Sequence, residues 1–321
     1  MLVEEATYSK IILEKELNSF SKGILKTLLY FNIFQYPLTK EEIHNYCSFK
    51  ASINEISAQL RTLELVGFVK KNNGFYFLNE VDERLLLNRR IEGNRSAEKL
   101  IKTGSRFSKF ISFFPFVRAI CLSGSLSKGY ADKDSDIDYF IITEPGRLWL
   151  CRTMLIAFKK LFLFNSHKYF CVNYFVDTGN LEIPDKNTFT ATELISIIPT
   201  HNGSIYKQLM LVNEWTKEYF PNSELKDSMS AFPENKSLFK RSLEWILSGK
   251  MGDKLDEKCF RLTLKQWKEK FKDFDETQFD LRLRSRKNVS KHHPNGFQEK
   301  VMKKYESGIL EFEKKFNVSI T

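Results

Sequence analysis

Two short clusters in this 321-residue chain combine residue types and spacing that can do chemistry. Gly124-Ser125 follows an apolar run, and ten residues further on comes Asp136-Ile137-Asp138. A glycine lets a ligand approach the backbone, and the short helix expected to open at Ser125 presents free N–H groups, a combination suited to phosphate oxygens. Alternation along a strand puts Asp136 and Asp138 on one face, about 6–7 Å apart. Two such carboxylates repel unless a cation lies between them. Hard oxygen ligands beside bound phosphates describe a Mg2+ site. Two such ions can clamp the attacking and leaving oxygens of an in-line phosphoryl displacement. The plainer reading is a cluster of aspartates in a surface turn, since Asp132 and Asp134 are close by. A turn, however, requires neither strict i, i+2 placement at the head of an apolar strand nor a Gly-Ser turn upstream.

The elements that must hold these groups follow from the flanking pattern. A strand ends at Leu122, and a second covers Asp136–Thr143 with Ile137 and Tyr139 turned to the core. A helix opens at Arg147 after Pro145-Gly146, and Lys168–Val176 reads as the next strand. Arg147 and Arg152 suit either a phosphate contact or a cover over the sheet edge. Thr190-Ala-Thr-Glu193 has the form of a capping box, and Tyr206–Tyr219 is amphipathic.

The run Gly124-Ser125, ten residues, then Asp136-x-Asp138 resembles the signature of the polymerase β-like nucleotidyltransferase superfamily. Lys128-Gly129 stands where smaller members often carry Arg-Gly, and Ser135 directly before Asp136 is also typical. The resemblance covers about 30 residues and weakens along 147–220. It implies that Gly124 and Ser125, with Lys128 beside them, bind the phosphates of an NTP, and that Asp136 and Asp138 bind Mg2+. Polymerising members add a third carboxylate on a neighbouring strand that deprotonates the acceptor hydroxyl. The matching place here holds Asn173, an amide that can ligate a metal through its oxygen but cannot act as a base. Asp177 lies at the end of the same strand. Three alternatives stand: the acceptor needs no strong base, a substrate group supplies one, or the site is degenerate.

Upstream, residues 1–80 read as a winged helix-turn-helix. The first helix carries Ile11, Ile12, Leu13, Leu17, Phe20, Ile24, Leu28 and Leu29. Capping boxes at Thr39–Glu42 and Ser52–Glu55 open the second and third, and Phe68–Phe77 forms a hairpin turning at Asn73-Gly74. The third helix offers Asn54, Glu55, Ser57, Gln59, Arg61 and Glu64, a poor match for phosphates, so packing is favoured over DNA reading. Residues 81–114 form a basic amphipathic connector that Pro115 ends. The core is expected over 115–225, followed by a basic, mostly helical domain over 226–321. The expected fold is therefore α+β: a small mixed-sheet core, an N-terminal winged helix and a helical C-terminal domain.

The net charge is +10, and from residue 231 onward 21 basic residues face 14 acidic ones. Phe279–Arg286 alternates strictly, which predicts a strand with Phe279, Leu281 and Leu283 on one side and Arg282, Arg284 and Arg286 on the other. Either it is a solvated basic edge, or it folds back so that Arg284 and Arg286 bind triphosphate or an anionic acceptor. In the second case His293 manages the acceptor's proton. A turn at Asn295-Gly296 and a final helix with Phe297, Val301, Tyr305, Ile309, Phe312 and Phe316 as its buried stripe complete the chain.

With 42% hydrophobic and 28% charged residues the chain is not a disordered one. The most apolar stretch, 148–164, carries Arg152, Lys159 and Lys160, so no membrane span is expected. Glu4 and Glu5 stand where a signal peptide has basic residues, which points to a cytoplasmic protein. The five cysteines lack CxxC spacing and read as core thiols. His44, His167 and His201 share no ligand-like spacing. The reaction these readings favour is NMP transfer from an NTP to a small molecule or a protein, with nucleic acid not favoured as acceptor. The alternative is a nucleotide-sensing winged-helix regulator with a degenerate transferase domain.

Overall fold

The structure is a computed structural model that describes residues 17–78, 83–164, 168–229, 231–234 and 237–320. Ile11, Ile12 and Leu13 of the first expected helix, and His167, lie outside these residues.

The chain opens with α1 (Ser19–Asn32), capped by the Asn18 side chain. A short strand β1 (Leu38–Thr39) leads into α2 (Lys40–Tyr46) and α3 (Ile53–Leu65). Both expected capping boxes form: Thr39 and Glu42, then Ser52 and Glu55, satisfy each other's amides. β2 (Val69–Asn72) and β3 (Phe75–Leu78) pair around Asn73 and Gly74, both at positive φ, as a tight two-residue hairpin requires. β1 adds to β3 as a third strand, which the sequence pattern did not reveal.

A long helix α4 (Glu83–Ile111) then crosses to the central sheet. There follow β4 (Val117–Ser123), the single turn α5 (Gly124–Ser127), β5 (Asp138–Thr143), α6 (Leu148–Phe162), β6 (Cys171–Asp177), α7 (Thr188–Ser196), β7 (Ile198–His201), α8 (Gly203–Val212) and α9 (Thr216–Tyr219). The last part contains α10 (Leu238–Leu247), α11 (Lys250–Lys270), α12 (Glu276–Leu283), β8 (Ser285–Arg286), β9 (Val289–Lys291) and α13 (Phe297–Phe316).

The larger sheet has the order β7-β4-β5-β6-β9-β8. Only β5 and β6 are parallel, and the crossover that parallel pairing demands is supplied by α6. The sheet is therefore mixed and the fold α+β, as expected. On one face α4, α6 and α11 pack with Ile120, Leu122, Tyr139, Ile141 and Phe175 in one apolar cluster, where Trp149 meets Trp267 edge to face. The other face shares one apolar cluster with the three N-terminal helices, α7 and α13. Rings carry that seam: Tyr30 meets Tyr305 edge to face at 5.4 Å, and Phe68 meets Phe312 at 5.5 Å.

Three expectations change. The alternating segment 279–286 is helix as far as Leu283 and strand only at Ser285–Arg286. Asp275 caps that helix through the Gln278 amide, and Phe279 and Leu283 then share one face at i, i+4, so the helical period wins. The box at Thr190–Glu193 does not form, because Asn187 caps α7 by accepting from Thr190 N at 3.0 Å. Tyr206–Tyr219 divides into α8 and α9.

Candidate active site

β4 runs straight into the turn that α5 makes. Gly124 takes φ +69°, open to glycine and costly for other residues, and the chain then reverses over β5. The turn packs directly on Asp138: a Cβ built on Gly124 would lie 2.6 Å from Asp138 Oδ2. Ser123 and Asp138 are register partners across β4 and β5, which fixes the closeness by backbone pairing. Ser127 Oγ donates to Gly124 O at 2.8 Å and Lys128 Nζ donates to the same carbonyl at 3.1 Å, so the turn is braced from both sides.

Asp136 precedes β5 instead of starting it, and it stays outside the cavity that Asp138 lines. Its charge is still felt at Asp138. Burial, then hydrogen bonding and charge, set the Asp138 carboxyl at about 6, above the ordinary value. Burial is the largest cause, and Asp136 and Glu193 add to it. The Cys171 thiol and Lys128 oppose it. Burial together with the nearby Asp138 in turn pushes the Cys171 thiol up to about 12.

Asn173 sits in a β-bulge. Cys171 and Val172 pair with Asp138 and Tyr139, Tyr174 pairs with Phe140, and Asn173 is the unpaired extra residue between them. The bulge turns its amide toward the site, where Nδ2 reaches Cys171 Sγ at 2.9 Å and Asp138 Oδ1 at a long 3.5 Å. Asp177 lies at the far end of β6 opposite Thr143 and accepts from Gly179 N, away from the cavity.

A cavity of about 740 Å3 opens over this corner. Ser123, Gly124, Ser125, Lys128, Asp138 and Asn173 form its polar floor. Its walls come from distant parts of the chain: Phe31 from α1, Phe34 and Tyr36 from the turn that follows it, Phe189 from α7, and Phe297 from α13. The N-terminal unit also touches the floor itself, since Tyr36 Oη donates to Lys128 O, while Asn94 Nδ2 donates to Gly129 O at 2.7 Å.

The C-terminal segment folds back as far as this cavity. β9 pairs antiparallel with β6, and His292 N donates to Asn173 O at 2.9 Å. His293 and Lys291 line the cavity, but Arg284 and Arg286 do not. Arg284 is buried and fully engaged, with Nη1 and Nη2 on the two oxygens of Asp185 at 3.0 and 2.8 Å and Nη2 on Asp280 at 3.1 Å. Arg286 is exposed and pairs with Asp280 at 3.1 Å. The expected phosphate role for these two arginines is therefore replaced by ion pairing, because carboxylates already fill the geometry that phosphate oxygens would use. His293 lines the cavity and is exposed to solvent there.

Arg147 and Arg152 are also buried away from the cavity. Arg147 donates to Leu247 O at 2.8 Å and pairs with Asp253 at 2.7 Å, and Arg152 lies 4.8 Å above the Trp267 ring. Sequence reasoning missed Asp185 and Glu193, both of which line the cavity. Glu193 carried a signal: Thr190, Glu193, Leu194 and Ile197 share one helical face, and all four line the cavity. Asp185 carried none.

Among the described residues no group of three or more His, Cys, Asp or Glu is arranged to hold a metal ion. Magnesium keeps few protein ligands and completes its shell with substrate phosphates and water, so two aspartates are chemically sufficient donors for it. A desolvated Asp138 with two negative neighbours is also a place where added positive charge is favoured.

Residues 105–194 match the family model of the nucleotidyltransferase domain, which supports the resemblance of this core to the polymerase β-like nucleotidyltransferase superfamily. No curated protein and no solved structure matched the chain. Among the described residues no helix is long and apolar enough to cross a membrane.

Proposed function

We propose that the chain is a Mg2+-dependent nucleotidyltransferase that moves a nucleoside monophosphate from an NTP to a small molecule or a protein. The observation that carries this reading is the contact of Gly124 with Asp138 at the floor of a large open cavity. The missing Cβ lets Asp138 pack against the backbone of the turn, so a metal-competent carboxylate and the amides of the Gly-Ser turn share one corner of the cavity. Gly124, Ser125 and Lys128 would bind the triphosphate, and Asp136 and Asp138 would hold Mg2+. Mg2+ would supply charge neutralisation for the phosphates, and the chain would contribute positioning. Asn173 has a place at the edge of the metal site through its amide.

We read residues 1–80 as a winged-helix-like domain, 81–114 as a connector, 115–225 as the core and 226–321 as the C-terminal domain, in a cytoplasmic protein. An acceptor of small size is supported by the apolar walls that Phe31, Phe189 and Phe297 contribute around the polar floor. Packing of the N-terminal domain against α7 and α13 supports a structural role for it over DNA reading.

The test is incubation with each α-labelled NTP and Mg2+. The expected result is Mg2+-dependent pyrophosphate release, and its absence for all four nucleotides overturns the reading. One observation favours a second reading, a nucleotide sensor without turnover: Asn173 stands where a carboxylate base would stand. That reading predicts nucleotide binding with no release of pyrophosphate.

A further inference from the structure

Glu193 faces the cavity from α7, while the third-carboxylate position on β6 holds an amide. Its one ion-pair partner among the described residues is Lys128, with Nζ 2.8 Å from Oε1. Lys128 is at the same time 3.1 Å from Gly124 O, at the turn that the nucleotide reading assigns to phosphate. The cavity's other carboxylates are committed elsewhere. Asp185 is clasped by Arg284 and Lys291, and Asp138 lies on the metal side of the floor. Glu193 differs in having a lysine alone as its ion-pair partner among the described residues, a compact charge on a flexible stem that can change partners without disturbing the fold. The pair keeps some exposure on both sides, 14% for the lysine and 28% for the glutamate, so it is not locked by burial.

We propose that Lys128 and Glu193 form a nucleotide-operated latch. In the resting protein Glu193 holds Lys128 beside the Gly124 turn. An arriving triphosphate, with its higher charge density, takes the lysine. Glu193 is thereby uncovered on the cavity side and becomes the base for a hydroxyl acceptor of small-molecule class. In that step the acceptor oxygen bonds to the α-phosphorus as the bond from that phosphorus to the bridging oxygen breaks. The hydroxyl proton passes to the Glu193 carboxylate, and the leaving electron pair goes to pyrophosphate. Glu193 thus replaces, from a helix, the base that Asn173 cannot provide from the strand. This inference rests on the nucleotidyl-transfer reading.

The test uses the full chain, the α,β-methylene analogues of the four NTPs with Mg2+, and calorimetric titration. Glu193→Gln is expected to bind the preferred analogue about fivefold more tightly, because the neutral amide no longer competes for the ammonium. Lys128→Met is expected to weaken it about tenfold or more, and to cancel the gain when the two changes are combined. With the matching NTP, Glu193→Gln is expected to release pyrophosphate about 100-fold or more slowly despite its tighter binding. Unchanged or weaker analogue binding by Glu193→Gln overturns the latch, as does unchanged binding by Lys128→Met. Wild-type turnover in Glu193→Gln overturns its role as base while the transferase reading stands. A wild-type chain that binds none of the four analogues overturns the nucleotide reading and the latch together.

Discussion

Gly124 and Asp138 lie in contact across the β4–β5 ladder, with no room for a methyl group between the glycine and Asp138 Oδ2. Gly124→Ala therefore meets two obstacles, a left-handed backbone and a displaced carboxylate. Gly146 is the natural control, since it has the same φ of +69° but nothing within 4 Å of its added Cβ. Both alanine variants should lose about 1–2 kcal/mol by urea denaturation. Only Gly124→Ala should also lose Mg2+-dependent nucleotide binding. Equal binding by the two variants would show that the turn does not approach phosphate.

Asp138→Asn separates stability from function. The carboxylate is desolvated and has Asp136 and Glu193 as negative neighbours, so the folded state gains when that charge is removed. The variant should melt at or slightly above the wild-type temperature in EDTA. The rise in melting temperature that Mg2+ and nucleotide give the wild type should be absent. A large drop in melting temperature in EDTA would mean that Asp138 holds the fold together through contacts beyond those described.

Arg284 and Arg286 should behave as ion-pair residues of unequal weight. Arg284→Met leaves Asp185 with Lys291 alone and strands buried charge, at a cost of about 3–5 kcal/mol. Arg286→Ala removes an exposed pair and should change stability by less than about 1 kcal/mol. Denaturation curves decide the matter, and comparable losses in the two variants would contradict the burial difference.

His201 gives the protein an acid-side weakness. The side chain is fully buried on β7, and burial, then the charge of Lys240, lowers its pKa to about 4. The unfolded chain therefore binds a proton between about pH 6.5 and 4 that the folded chain refuses, so stability falls as pH falls through that window. Full titration corresponds to about 3 kcal/mol. His201→Phe should flatten this part of the pH–stability profile, and an unchanged slope would assign the acid sensitivity to other groups.

Much of this architecture was legible in the sequence because local signals agreed with tertiary ones. Thr39 and Ser52 cap the helices they were expected to cap, Asn73-Gly74 turns the hairpin, and the Gly-Ser turn follows β4 and lies against the strand that opens at Asp138. Failures came where two local signals competed. Phe279 and Leu283 satisfy a strand pattern and a helical one, and the Asp275 cap settled it. Thr190 had the form of a cap, but Asn187 three residues earlier took that role and left Glu193 to face the cavity. The bulge at Asn173 has no sequence signature, and the pairing of Arg284 with Asp185 joins positions 99 residues apart, beyond any window of periodicity.

The return of the chain to its own central sheet has a consequence for biogenesis. Lys291 meets Asp185 across a separation of 106 residues, and β9 takes its place beside β6 only after six further helices and two strands of the described residues have been made. On the ribosome, β4 to β6 can pair long before that, leaving one side of β6 unpaired and the rear of the cavity missing. An interrupted translation product would thus expose the motif-bearing strands without the wall that shapes the pocket. Completion of synthesis itself becomes a checkpoint on activity, and the growing chain passes through a stage in which an open strand edge is the natural recruit for a chaperone.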